Sequence, residues 1–403
     1  MNKLNFRIGI FRPHLRSLFA EALREQGARV TLYLSKLNVT DPRGLQPDTQ
    51  LIDTSFFGLQ LQAVDNPFAR LVTVIVYCFR LARRNRTDRV DLYFVPHLWS
   101  WDANLVALVL SLIRPVVMIF MGDSLRLLRR RISYAIWLPL FKLTLSRINV
   151  IAFDDDEQKF CLLKMMKVPP ARILFHGPAI VDPNIFRFRL PSHDREAPQR
   201  DRSSMRILMV SRIETLSRIR RMGGYEKDPF LALEIFRRVV QLDPRAILIV
   251  AGGGPGLAEF RKRVVDYGLA RRVDVLGNLS KEQISRLMSE TDLVLVPQPQ
   301  LTIHDVAAYE ALMCGIPVAE FKRYSAVSIE TLGGFLVDME PDLAAYQIAS
   351  RLNRTYLEAK RKEATDRALA DNVSVPAWGK RVHSFLQKVM ESHPQLKVAN
   401  DGT

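Results

Sequence analysis

Cysteine is scarce: the 403 residues hold 3, at Cys78, Cys161 and Cys314. They lie far apart and match no metal-ligand spacing, which excludes a disulfide framework and points to a reducing compartment. A long unbroken apolar run is also lacking. The longest apolar stretch, Ala103 to Met121, is interrupted by Arg114 and Pro115, whereas a bilayer-spanning helix takes about 20 apolar residues. It reads as a buried helix followed by a buried strand. No export-signal pattern opens the sequence, and Met1–Phe11 reads as a first strand. Nor is the composition skewed as in disordered or fibrous chains, with 48% apolar and 25% charged residues. Helix-turn-helix, zinc and RNA-recognition signatures are absent, so only the charge argues for nucleic acid, and no such partner is expected.

Positive charge, by contrast, is plentiful. Lysine and arginine number 58 against 42 acids, a formal net charge of +16. That excess suits a polyanion, an anionic membrane or a phosphorylated ligand. About +10 of it falls in residues 1–185. Arg80, Arg83, Arg84, Arg86 and Arg89 follow the apolar segment Leu71–Phe79. Arg126, Arg129, Arg130 and Arg131 precede Ile132–Leu145. Apolar stretches beside arginine clusters suit the interface of an anionic bilayer; they equally suit core helices with solvated arginine ends.

The length suits two or three domains, and the pattern repeats twice. Strands are predicted at Arg7–Phe11, Ala28–Tyr33, Leu92–Val95, Val116–Phe120, Val150–Phe153 and Ile173–Phe175, with helices such as Leu15–Gln26 and Asp156–Met166. A second series places strands at Ile207–Val210, Ile247–Val250, Val273–Leu276, Leu293–Val296 and Pro317–Glu320. Its helices are Pro229–Leu242, Pro255–Gly268, Lys281–Ser289 and Val306–Met313. Such alternation implies parallel sheets covered on both faces. The expected division is a first domain over 1–185, a polar linker over 186–204 and a second domain over 205–375. A last helix over 376–392 is expected to pack back on the first domain, followed by a tail over 393–403. Two doubly wound units would place a ligand cleft at their strands' carboxyl ends.

The passage Thr302–Val318, TIHDVAAYEALMCGIPV, carries the most chemistry. It resembles the donor-site signature of the GT-B-fold nucleotide-sugar glycosyltransferases, group 1 or family 4-like, in which Glu-Gly-Phe-Gly leads to a second Glu-Ala and then Gly-x-Pro-Val. Other stretches agree in order. Arg206–Arg212 (RILMVSR) resembles the strand ending in Gly-Arg, and Glu226-Lys227 the Glu-Lys after it. Ile247–Gly256 (ILIVAGGGPG) resembles the glycine loop, and Val273–Ser280 (VDVLGNLS) the strand and turn beyond. Asp182–Phe186 resembles the segment that closes the first domain. The likeness covers residues 170–345 well and the first 150 only in general pattern.

The resemblance implies an enzyme that takes a nucleoside diphosphate-sugar as donor and uses no metal or other cofactor; the family is mostly retaining, but the replaced Glu and His leave the stereochemistry open. Arg212 and Lys227 would stabilise the departing diphosphate, and Glu310 would accept hydrogen bonds from the ribose hydroxyls. Gly253 and Gly254 would let backbone approach the ligand. Gly277 and Leu279, with Asn278, are candidates for contacts to the base.

The sequence departs from that pattern in several places. The first glutamate of the pair is Thr302, which cannot carry charge at neutral pH. Ile303 and Asp305 stand where glycines are usual; Asp305 suits a helix N-cap, yet its charge would oppose a diphosphate. His304 reads either as a cation that compensates or as a polar loop residue. About five residues usually separate the arginine from the lysine; here the arginine-rich stretch Ile213–Glu226 intervenes, so that Arg218, Arg220 or Arg221 could take a phosphate role. The first-domain histidine is replaced by Met121-Gly122-Asp123-Ser124, where Asp123 reads as an acceptor-side carboxylate or as a helix cap. Asp154-Asp155-Asp156-Glu157 follows a strand and opens a helix, where acids favour the dipole. The acceptor implied is a glycan or lipid-linked glycan met at an anionic membrane surface, by a peripheral protein on the cytoplasmic face. The alternative is a GT-B-fold partner subunit that binds nucleotide or glycan without turnover.

Overall fold

The computed structural model describes residues 7–11, 22–35, 49–52, 75–76, 79–80, 83, 90–96, 101–119, 132–153, 156–176, 181–188, 204–222, 227–297, 305–321, 329–366 and 374–392. The chain forms two compact units. Met1–Gly177 and Val375–Thr403 make the first, and Pro178–Ser374 the second.

The first unit holds a parallel sheet of β1 (Arg7–Phe11), β2 (Arg29–Ser35), β3 (Thr49–Ile52), β4 (Leu92–Pro96), β5 (Val116–Ile119), β6 (Asn149–Phe153) and β7 (Ile173–His176). Its order is β3-β2-β1-β4-β5-β6-β7. β5 reads VVMI and is buried at every position, the composition of a strand covered on both faces. Arg114 and Pro115 end the preceding helix α1 (Trp101–Ser111), as the sequence predicts, and α1 packs with α2 (Ile132–Leu145). The predicted helix Asp156–Met166 is realised differently. Only Asp156–Lys159 (α3) is α-helical, and Phe160–Met165 continues as a π-helix, with Met166 N donating to Cys161 O. The wider turn brings both Cys161 and Leu162 into the core. Cys161 and Cys314 are both buried. No helix of the described residues is long and apolar enough to cross a membrane.

The second unit holds β8 (Met205–Val210), α4 (Leu216–Met222), α5 (Pro229–Leu242), β9 (Ala246–Ala251), α6 (Leu257–Asp266), β10 (Val273–Gly277), α7 (Lys281–Ser289) and β11 (Leu293–Val296). There follow α8 (Val306–Met313), β12 (Val318–Phe321), β13 (Phe335–Val337), α9 (Pro341–Ala349) and α10 (Arg354–Asp366). The parallel sheet runs β10-β9-β8-β11-β12-β13. Strand periodicity divides its side chains between two cores. Ile207, Met209, Leu248, Val250, Leu293 and Leu295 join the core under α5 and α9. Leu208, Ile249, Val294 and Val296 join the core under α8.

The last helix, α11 (Val375–Glu391), belongs to the first unit, where Trp378 is fully buried. An added Cβ on its Gly379 would sit 2.8 Å from Ala22 O, so the helix passes close to the backbone there. The second unit begins earlier than the sequence suggests: Val181 and Phe186 are fully buried in the core beneath α8. Phe186, expected to open the linker, is a core residue because its apolar ring outweighs the polar composition that follows it. Val181 also bridges Ser374, so the two ends of this unit lie side by side.

Candidate functional site

Because every strand of the second sheet is parallel, the segments that follow β8, β9, β10 and β11 emerge at one edge, the place where such sheets bind ligands. Arg212, Gly253, Gly254, Gly277, Leu279 and Asp305 all lie there. Lys227 joins them, since Asp228 N donates to Pro297 O at 2.7 Å. Thr302, His304 and Asp123 lie outside the described residues.

Glu310 sits on α8 and is buried. Lys281 Nζ lies 2.9 Å from its Oε1 and 5.6 Å from the centre of the Phe186 ring. Burial pushes the Glu310 carboxyl above the usual range, Lys281 pulls it back, Asp305 raises it and Lys227 lowers it. The sequence reading missed Lys281. The signal was Ser280-Lys281-Glu282-Gln283, a capping box: Ser280 Oγ accepts from Gln283 N, and Gln283 Oε1 accepts from Ser280 N at 2.8 Å. That cap fixes the first residue of α7, which is Lys281.

Asp305 is the N-cap of α8, as expected, accepting from Ala307 N at 3.1 Å. Its other oxygen pairs with Lys227, whose side chain is 28% exposed. Lys227 in turn stands before a second cap. Asp228 accepts from Leu231 N at 2.9 Å to start α5, with Pro229 at the first helical position. Burial raises the Asp228 carboxyl, and the cap hydrogen bonds from Leu231 and Phe230 oppose that shift.

Arg212 follows β8 with its side chain 66% exposed. Its Nε lies 2.7 Å from Oε1 of Glu214, and Arg218 Nε lies 3.6 Å from Oε2 of the same carboxylate. Glu214 itself is 3% exposed. The sequence reading missed it as well; an acid four residues before an arginine, beside buried Ile213, was the available clue.

The glycine loop after β9 has a definite partner. Gly252 has φ +145°, and a Cβ on it would stand 1.9 Å from Ser211 O. Gly254 has φ +149° and would meet Ile213 O at 2.3 Å, while Gly256 would meet Glu214 O at 2.2 Å. Ile213 N donates to Gly253 O, and Gly256 N to Ile213 O, both at 3.0 Å. These glycines therefore admit the chain's own segment 211–215, the one that carries Arg212 and Glu214. Gly253 faces the Asn278 side chain. Gly277 has φ +77° with open space beside it, and its carbonyl accepts from Gly252 N at 2.7 Å. Leu279 packs partly against the core beneath α8. Glu320 on β12 is a further carboxylate the sequence reading passed over, and it is fully buried.

Residues 216–370 match the family model described as glycosyl transferases group 1. A curated relative, the D-inositol 3-phosphate glycosyltransferase of Mycobacterium marinum, is 30% identical over 175 residues. That match spans 42% of this chain and 34% of the relative, so the chain matches about a third of that protein's length. Among solved structures, the sucrose-phosphate synthase of Thermosynechococcus elongatus has a TM-score of 0.69 at 16% identity, covering 96% of this chain and 100% of its own. Anabaena Alr3699/HepE, in complex with UDP, also has a TM-score of 0.69 at 16% identity, covering 95% of this chain and 99% of its own. At such identity the likeness speaks for the fold, and the sequence match speaks for the second unit. The chain thus takes the GT-B fold of these structures, and its residues 216–370 are similar to the group 1 glycosyl transferases.

Proposed function

We propose that the chain is a glycosyltransferase that moves a sugar from a nucleoside diphosphate-sugar to a glycan or lipid-linked acceptor. The observation that carries this reading is Glu310, a buried carboxylate near Lys281, Asp305 and Lys227 at the carboxyl edge of the second sheet. A buried carboxylate that accepts hydrogen bonds in pairs suits the vicinal hydroxyls of a ribose. Arg212 and Lys227 then neutralise the departing diphosphate, a charge that develops as the glycosidic bond breaks. Fixed guanidinium and ammonium groups do this without a metal ion. Thr302 and His304 remain the donor-side candidates, and Asp123 the acceptor-side carboxylate. A relative in fold solved with UDP makes UDP the first nucleotide to try.

The acceptor is proposed to sit in an anionic membrane surface on the cytoplasmic side. In support, Ile75 and Phe79 of the first unit are exposed, and Arg80 and Arg83 follow them. One observation favours the second reading, a partner subunit without turnover: Lys227 is already engaged by Asp305 where the family has glycine. Thermal shifts with UDP, GDP, ADP and CMP test the donor site, using wild type and Glu310→Ala. Stabilisation by one nucleotide, lost in the variant, is expected; no stabilisation by any would overturn the donor site. Release of that nucleotide from its sugar conjugate by the isolated chain separates the enzyme from the partner subunit.

A further inference from the structure

In the resembling family, one arginine and one lysine answer the diphosphate. Here each has an acid of its own: Arg212 has Glu214, and Lys227 has Asp305. The two pairs together carry no net charge, so a departing diphosphate meets each of these cations already beside an acid, and a further guanidinium there would strengthen the field. Arg218, which the arginine-rich stretch adds, stands beside the same Glu214 carboxylate. It stands on α4, a helix anchored by Ile219, which is 4% exposed in the core, so Arg218 is carried by a fixed element. The neighbouring Ile213 is hydrogen-bonded to the glycine loop, and Gly256 lets the Glu214 carbonyl pass close to it.

We propose that Glu214 is a positioning residue that holds Arg212 and Arg218 as a two-guanidinium clamp, and that this clamp receives the phosphates of a nucleoside diphosphate. The inference rests on the donor-site reading above. Both arginines meet Glu214 through Nε, the side nitrogen of the guanidinium, and both side chains are about half exposed or more. A guanidinium beside a buried carboxylate is pre-organised, so less entropy is lost when it binds phosphate. The clamp therefore acts on the phosphates alone, while Glu310 acts on the nucleoside.

Calorimetric titration tests this. The ligands are UDP, UMP and uridine, or the matching set for whichever diphosphate binds. Glu310→Ala is expected to weaken all three. Arg218→Ala is expected to weaken the diphosphate about tenfold, the monophosphate less and the nucleoside not at all. Arg218→Lys recovers part of the loss. Glu214→Gln keeps the shape but loosens both arginines, and is expected to weaken the diphosphate with the nucleoside unchanged, which also shows that the variant is folded. Lys262→Ala, a surface cation paired with Asp266, controls for lost net charge and leaves all three unchanged. If the diphosphate binds and Glu310→Ala weakens it, but Arg218→Ala and Glu214→Gln leave the ratio of diphosphate to nucleoside affinity unchanged, the clamp is overturned and the donor site stands. If no diphosphate binds wild type, both readings fall.

Discussion

Burial of Glu310 sets binding against stability. Its carboxyl titrates higher in the folded chain than in the unfolded one, first because burial penalises the charge. Between the ordinary glutamate value and that raised value, the folded state holds the extra proton, so stability falls as pH rises through the window. Glu310→Gln removes that fall. The variant is expected to melt higher than wild type at neutral pH, with the gain vanishing toward pH 4, as thermal denaturation across pH would show. Its nucleotide affinity is expected to drop, because an amide accepts less strongly than a carboxylate. In wild type, affinity falls on acidification as Glu310 takes up its proton. Lys281 opposes that protonation across 2.9 Å. In Lys281→Met the acid-side loss of affinity is expected to begin at higher pH, read from nucleotide titrations between pH 5 and 8. None of this could be drawn from the sequence beyond Glu310 itself. The lysine is 29 residues away in the chain, and only the register of α7 against α8 brings them together.

Elements, rather than residues, explain which glycines matter. Gly252 lies where β9 meets the segment after β8, at a φ no ordinary side chain adopts and with no room for a methyl group. Gly268 also has positive φ, +69°, but nothing lies within 4 Å of its would-be Cβ. Gly252→Ala is therefore expected to lose more than about 4 kcal/mol, and Gly268→Ala about 1 kcal/mol. Chemical denaturation measures both, and equal losses would show that backbone strain alone decides. Apart from Asp156–Met166, the strands and helices predicted from periodicity recur to within about two residues where they are described. The apolar runs of parallel strands are continuous, so they stand out. What escaped was weaker in pattern. β3 reads TQLI and β13 is three residues long. α4 reads LSRIRRM, so its arginines look like loop charge until Ile219 is seen to anchor it. The π-helix at Phe160–Met165 has an α-helical sequence pattern, and only packing tells the two apart.

At the scale of the whole chain, two units with separate cores are expected to respond separately. Trp378 is fully buried in the first unit, against which the His176 ring stands edge-on at 6.5 Å. Trp378→Ala is expected to destabilise that unit by about 3–5 kcal/mol. A bound nucleotide is expected to raise the melting of the second unit and leave the Trp378→Ala loss in place. Differential scanning calorimetry of the variant with and without nucleotide reads both effects, and a single transition that moves with either change would show one cooperative block. The second unit's continuity in sequence was legible; its point of entry was not, because Phe186 looks like linker until its burial is known. The bridge between Val181 and Ser374 has one more consequence. It makes the second unit a closed excursion, leaving and rejoining the chain at one place, so its two ends need no scaffold to keep them together. Such a unit suits circular permutation: joined through a short linker near 181 and 374 and reopened at the exposed turn around Gly268, it would keep every strand neighbour it has now while the order of those strands along the chain changed.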